Sequence, residues 1–286
     1  MSVIVPVKNE EANLAACLEH LKWADEVFVV DSGSTDRTAE IAAAYGAKVV
    51  QFQWDGKYPK KKNWSLLNLP FRHEWVLIVD ADEHIVEPLA DEIIAAVASP
   101  GERVGFYVNR KFIFMGRWLK HCGYYPSWNL RLIKRGFGLY EELSNTGDTK
   151  SGDNEVHEHV LVKGEAGWLK QDMIHYAFPT IGVFIEKHNR YSNWEAIVQL
   201  NRLDQGLPGK LFGHSLERRR FLKRLAAKMP FRPTLRFLYS YVLRYGFLDG
   251  RRGFIFCRLL AIYEFLSVAK VAEMRAERKA AGHQKS

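Results

Sequence analysis

Short apolar runs alternate with amphipathic stretches through the first hundred residues. Ser2-Val3-Ile4-Val5-Pro6-Val7, Glu26-Val27-Phe28-Val29-Val30-Asp31, Lys48-Val49-Val50-Gln51-Phe52 and Trp75-Val76-Leu77-Ile78-Val79 are rich in β-branched residues and bounded by polar ones. That is the pattern of buried strands. Pro6 fits only near a strand end. Leu14, Cys17, Leu18 and Leu21 fall at helical spacing, in a helix expected to start within Lys8-Asn9-Glu10-Glu11-Ala12-Asn13. Ser34-Thr35-Asp36 offers capping side chains for a helix through Tyr45, which Gly46 ends. A further helix is expected from near Asn63. Strands alternating with helices predict right-handed βαβ units and a parallel sheet.

The pattern changes beyond residue 100. Residues 104–108 and 129–133 read as strands, separated by the polar-aromatic loop Met115-Gly116-Arg117-Trp118-Leu119-Lys120-His121-Cys122-Gly123-Tyr124-Tyr125-Pro126. From Ile181 the periodicity is helical. Gly206-Leu207-Pro208-Gly209 interrupts it and is the best boundary in the chain. Two apolar helices are expected over residues 234–244 and 253–276. Arg258 and Glu264 break the longer one well short of the roughly 18–20 uncharged residues a membrane span needs. The expected organisation is an α/β domain over residues 1–208, with halves 1–100 and 101–208, and a helical extension over 209–286.

Composition sharpens this picture at two points. The three cysteines, Cys17, Cys122 and Cys257, have neither metal-type nor disulfide-type spacing, so buried thiols in a reducing compartment are expected. The first strand starts at Val3, which leaves no room for a signal peptide. Net charge is +8, but residues 209–286 hold 18 Lys/Arg against 5 Asp/Glu, a surplus of +13, and the remainder carries −5. A basic tail implies an anionic partner, nucleic acid or membrane. Its arginines stand beside Phe, Leu, Tyr and Ile, which favours an interfacial membrane anchor.

Candidate chemistry gathers where strands end in acids. Val79 runs into Asp80-Ala81-Asp82-Glu83, and Val30 into Asp31. Ligands of open α/β sheets bind beyond the carboxyl ends of the strands. Two carboxylates one residue apart can grip a divalent cation, Mg2+ or Mn2+, and the cation can hold a diphosphate. Lys57, Lys60, Lys61 and Lys62 precede a helix start, where cations oppose the helix dipole unless an anion visits. Trp118, Tyr124 and Tyr125 suit a sugar, whose CH groups stack on aromatic faces. His157, His159 and His175 lack a suitably spaced fourth ligand, so a structural zinc is not expected.

Val3-Ile4-Val5-Pro6-Val7-Lys8-Asn9-Glu10, Val29-Val30-Asp31-Ser32-Gly33-Ser34-Thr35-Asp36, Lys62-Asn63 and Val79-Asp80-Ala81-Asp82-Glu83 together resemble the nucleotide-sugar-binding half of family-2 glycosyltransferases. The resemblance implies an α/β GT-A fold followed by the basic helical extension. It puts Pro6, Val7, Asn9 and Glu10 near a uridine or its ribose. Asp31 is placed on the base, Lys62 on the base or diphosphate, Asp80 against ribose or phosphate, and Asp82 on the metal. Val156-His157-Glu158-His159-Val160, with Pro126, Arg131 and His175-Tyr176, is similar to the branch that includes lipopolysaccharide inner-core glucosyltransferases. That similarity makes Glu158 the base for an inverting transfer, with Glu141 and Glu142 as rivals, and adds His175 to the metal shell. Trp118, Tyr124, Tyr125 and Arg131 are then acceptor-side residues.

The implied partners are a UDP-hexose or similar donor, a saccharide or glycolipid acceptor and an anionic membrane, with no nucleic acid. The implied location is cytoplasmic, peripheral on the inner face of the cytoplasmic membrane. Two other readings compete. A nucleotidyltransferase would carry a glycine-rich phosphate loop, which Pro6-Val7-Lys8-Asn9-Glu10 does not supply. A non-catalytic basic binding protein on a degenerate scaffold would have no need of Asp80, Asp82 and Glu158.

Overall fold

The computed structural model describes residues 1–142, 159–205 and 231–283. They form two compact units: residues 1–118, 125–142 and 159–177 in the first, residues 119–124, 178–205 and 231–283 in the second.

The first unit is α/β, as its sequence pattern predicts. Its elements are β1 (Ser2–Val7), α1 (Leu14–Glu19), β2 (Glu26–Asp31), α2 (Thr38–Ala44), β3 (Lys48–Gln51), α3 (Lys61–Asn68), β4 (Trp75–Ile78), β5 (Glu83–His84), α4 (Glu87–Ala98), β6 (Arg103–Phe114), β7 (Arg117–Trp118), β8 (Trp128–Lys134), β9 (Gly138–Tyr140), β10 (Val160–Val162) and β11 (Glu165–Phe178). The main sheet runs β3-β2-β1-β4-β8-β6-β11-β5, with β7 on β6, while β9 and β10 form a separate pair. β3, β2, β1 and β4 are parallel; β8 joins β4 and β6 in antiparallel fashion.

Period-two alternation sends neighbouring side chains to opposite faces of this sheet. Val3, Val5, Val7, Val29 and Leu77 pack with Leu14 and Leu18 of α1 and Leu89 and Ile93 of α4. Ile4, Phe28, Val30, Val76 and Ile78 pack with Phe52, Leu69, Phe71 and Tyr140. Both faces are covered, which is why the strands read as continuous apolar runs. Residues 8–13 are turns rather than the helix start expected there. Asn9 has φ 55°, a left-handed conformation that Asn tolerates better than most residues, and α1 begins only at Leu14. The N-cap expected from Ser34-Thr35-Asp36 falls instead on Arg37, which makes no side-chain cap; Asp36 Oδ1 accepts from the Thr38 N–H at 3.0 Å from one residue further back.

One irregularity positions a side chain named as a site candidate. β6 and β8 pair Phe106 with Leu132 but Tyr107 with Leu130, so Arg131 is skipped by the ladder. An extra residue in one strand bends it and re-aims its side chain. β5 pairs antiparallel with β11, which sets His175 opposite Glu83.

The second unit is helical. α5 (Ile181–Gln205) packs on a long helix, Gly250–His283, through Ala196, Leu200 and Val271. A short helix, Arg232–Leu238, widens into a π turn over Tyr239–Leu243, and a 3₁₀ turn, Gly246–Asp249, leads into the long helix. Pro233 sits in the first turn of its helix, where its missing N–H costs nothing. Packing therefore changes near residue 178, whereas composition changes at residues 206–209, which lie outside the described residues. Among the described residues, no helix is long and apolar enough to cross a membrane.

Candidate active site

The carboxyl ends of β1, β2 and β4 present the loops that carry the acids. Val7 and Asp31 stand side by side in the β1–β2 register. Asp31 is buried; its Oδ1 accepts from the Ser34 N–H and its Oδ2 from Gln51 Nε2, each at 3.0 Å. The loop after Pro6 and Val7 is laced to the loop after Asp31. Asn9 Oδ1 accepts from the Thr35 N–H, the Asn9 N–H donates to Ser34 Oγ, and the Glu10 N–H donates to Thr38 Oγ1, all at 2.8 Å. These predicted donor-site residues are thus brought together by backbone pairing and short hydrogen bonds. Two of the four clustered lysines divide their tasks: Lys61 is buried and donates to the Val7 carbonyl at 2.9 Å, while Lys62 turns to Asp80.

At the end of β4 the two anions Asp80 and Glu83 interleave with two cations. Asp80 Oδ1 meets Lys62 Nζ at 2.9 Å and Asp80 Oδ2 accepts from Arg131 at 2.6 Å. The same guanidinium reaches Glu83 Oε1 at 2.7 Å, and Glu83 Oε2 accepts from the Asp80 N–H at 2.9 Å. Burial opposes ionisation of Asp80, but Arg131 and Lys62 more than offset it and hold the carboxyl well below its usual range. That environment favours the anionic form of Asp80. Asn63 steadies this corner from α3. Its Oδ1 accepts from the Tyr140 N–H at 2.8 Å and its Nδ2 donates to the Tyr140 carbonyl at 2.9 Å, which sets the Tyr140 ring 5.5 Å from Lys62 Nζ.

Asp82 has a different partner. Its Oδ1 is 3.4 Å from His175 Nε2, and its carbonyl accepts from the Tyr176 N–H at 2.8 Å. The β5–β11 pairing is what carries His175 to this position, although 93 residues separate it from Asp82 in sequence. Among the described residues, no three His, Cys, Asp or Glu side chains form a ready-made metal cage. Two protein donors nevertheless suit Mg2+ or Mn2+, which retain waters and take substrate phosphates as ligands. His84 stacks on His20 at 4.5 Å and meets the Tyr176 ring at a tilt at 4.8 Å, and burial followed by the neighbouring His20 lowers its pKa.

The expected acceptor-side residues make different contacts. Trp118 and Tyr125 meet edge to face at 4.9 Å, with Lys111 Nζ 5.0 Å from the Trp118 ring. The Tyr125 hydroxyl donates to Asp172 Oδ2 at 3.1 Å, and Asn109 Nδ2 donates to Asp172 Oδ1 at 2.6 Å. Tyr124 belongs to the helical unit, where it meets Phe256 at 4.6 Å. Arg131 binds Asp80 and Glu83 instead of joining the aromatic pair. Glu158 and His157 lie outside the described residues. Of the rival bases, Glu141 is tied to His159, whose N–H donates to Glu141 Oε1 at 3.3 Å, and Glu142 is exposed. Sequence reasoning passed over Asp172 and quoted Glu83 within its motif without giving it a role. Glu83 directly follows Asp82, and that adjacency is the one signal that could have singled it out.

Residues 2–160 match the family described as Glycosyl transferase family 2. The chain belongs to glycosyltransferase family 2. This glycosyltransferase is 30% identical over 287 residues to "Lipopolysaccharide core biosynthesis glycosyltransferase LpsC" of Rhizobium meliloti (strain 1021), covering 96% of this chain and 93% of that one. It is also 30% identical over 278 residues to "Uncharacterized glycosyltransferase RT0209" of Rickettsia typhi (strain ATCC VR-144 / Wilmington), covering 96% and 87% respectively. A solved glucosyl-3-phosphoglycerate synthase from Mycobacterium tuberculosis is 26% identical over 39% of this chain and 43% of its own, with a TM-score of 0.32, too partial a likeness to carry an argument. The glycosyltransferase has a GT-A fold with an appended helical unit.

Proposed function

We propose that this glycosyltransferase moves a hexose from a nucleoside-diphosphate donor, best read as a UDP-hexose, to a hydroxyl of a saccharide or lipid-linked acceptor in cell-envelope glycan assembly. The observation that carries this reading is the meeting near one strand end of the Lys62–Asp80–Arg131–Glu83 set with the Asp82–His175 pair. Asp31 and the Asn9 loop form the nucleoside side. Asp82 and His175 would hold the divalent metal, which when bound supplies positive charge for the departing diphosphate. Lys62 adds charge next to it. The relative named for lipopolysaccharide core biosynthesis supports an envelope acceptor.

The transfer is a single inverting displacement. The acceptor oxygen forms its bond to the anomeric carbon as the bond from that carbon to the diphosphate oxygen breaks, and Glu158 takes the acceptor proton. The enzyme works at the inner face of the cytoplasmic membrane, held there by its basic extension.

A panel of nucleotide sugars, with release of nucleoside diphosphate as readout, tests this function. Glu158→Gln keeps size and most hydrogen bonding but removes the basic oxygen. Turnover is expected to fall about 10²–10⁴-fold with nucleoside diphosphate affinity intact. Near-normal turnover would move the base role to Glu141 or Glu142. No release from any nucleotide sugar would overturn the transferase reading.

A further inference from the structure

The helical unit exposes an unusual surface. Phe231, Leu243 and Leu248 are 79%, 67% and 60% exposed, and Leu238, Tyr239, Val242, Tyr245 and Phe247 are also exposed. Its aromatic rings touch one another. Phe237 stacks on Tyr241 at 5.2 Å, and Tyr241 meets Phe247 at 6.3 Å and Phe254 at 5.7 Å. From Phe254 it continues up the long helix through Arg258, Ile262 and Phe265, all exposed and spaced to share one flank. Soluble monomers seldom leave so many large apolar side chains together in water.

Charge decides what covers the patch. Residues 231–258 contain six arginines (Arg232, Arg236, Arg244, Arg251, Arg252 and Arg258), no lysine and one acid, Asp249. Asp249 is turned inward, accepting from the His121 N–H at 2.9 Å. Two such faces would set arginines against arginines, which disfavours a second copy of this chain. Leu243, Leu248, Val242 and Ile262 have nothing to gain from a nucleic-acid phosphate backbone. Aromatic rings and aliphatic tips ringed by guanidinium groups match the boundary of an anionic bilayer, with rings at headgroup depth and arginines on lipid phosphates.

We propose that the π turn and 3₁₀ turn, led by Leu243 and Leu248, insert into the headgroup and upper acyl region of an anionic membrane. The Phe254–Phe265 flank of the long helix lies along the surface. This inference gives residues to the membrane location proposed above, and its test uses no sugar transfer.

All three native cysteines are buried, so a new exposed thiol can be labelled selectively. An environment-sensitive nitrobenzoxadiazole dye is attached to Leu243→Cys and, as control, to Ile94→Cys on α4, an exposed site in the first unit. The probes are vesicles of phosphatidylglycerol with phosphatidylethanolamine, against phosphatidylcholine alone. Emission from Leu243→Cys is expected to shift to the blue and rise several-fold on anionic vesicles only, with no change at Ile94→Cys. Leu243→Glu combined with Leu248→Glu is expected to weaken co-sedimentation about tenfold or more, with far-ultraviolet circular dichroism and nucleoside diphosphate affinity unchanged. Vesicle binding with a silent Leu243 label would overturn the proposal and give the contact to another segment. Absence of vesicle binding at low salt would overturn it too, as would a mass doubling without vesicles that the double variant abolishes. Failure of the transferase reading would show separately, as loss of nucleotide binding by the unaltered chain.

Discussion

Arg131 shows how much a single side chain can hold at this site. It lies between Asp80 and the fully buried Glu83, so Arg131→Met would leave Glu83 with the more distant Arg110, at 3.6 Å, and Asp80 with Lys62 alone. Breaking a buried pair from one side costs about 3–5 kcal/mol. A lowered thermal midpoint and weakened donor binding are expected; unchanged values in calorimetry would show that the pair carries little. Glu26 gives a pH test remote from the site. Burial would raise its pKa, but hydrogen bonds from Lys48 and Ser2 overcome this and hold it at about 2, against an ordinary 4.5. A depressed folded-state pKa contributes stability above pH 4.5 and loses it as pH falls through the folded value. The contribution is about 1–3 kcal/mol, discounted because Lys48 is 42% exposed. Denaturant titrations should therefore show stability falling more steeply from pH 4.5 to 2 in the native chain than in Glu26→Gln; parallel curves would refute the linkage. Sequence exposed Asp31, Asp80 and Asp82 because acids ending apolar runs are conspicuous. It did not expose the link from Arg131 to Glu83, because a one-residue register slip leaves no local pattern. His175 was named from family likeness, and only strand pairing shows why it lies 3.4 Å from Asp82.

The elements differ in how openly their residues announce them. β1, β2 and β4 were legible because both faces of their sheet are covered. The length of β6 was not, since Asn109, Arg110 and Lys111 interrupt its apolar run yet find partners in Asp172, Glu83 and Trp118. The helix expected over residues 234–244 is helical to Leu243, but its end widens into a π turn and Tyr245 turns left-handed with φ 56°. The start of the long helix depends on a close approach. A Cβ at Gly253 would lie 2.0 Å from the Gly246 carbonyl oxygen, a backbone atom that cannot swing aside. Gly253→Ala should therefore cost about 1–3 kcal/mol and lower the thermal midpoint by several degrees, despite the better helix propensity of Ala. A midpoint equal to or above that of the native chain, by circular dichroism at 222 nm, would contradict the packing.

At the scale of the whole molecule, charge is divided: +13 over residues 209–286 and −5 over the rest. If that division works at a membrane, association with anionic vesicles must weaken with salt, because the screening length shrinks from about 10 Å at 0.1 M to about 3 Å at 1 M. Co-sedimentation unaffected by salt would leave the arginines without a role. The donor site makes a demand of its own, that metal and nucleotide bind together through Asp82. The most direct measurement is a calorimetric titration of UDP, with and without Mn2+, into the native chain and Asp82→Ala. The native chain should bind UDP more tightly with the metal, and Asp82→Ala should keep its metal-free affinity but lose that gain. Equal affinities with and without metal in both proteins would contradict the assignment of the donor site.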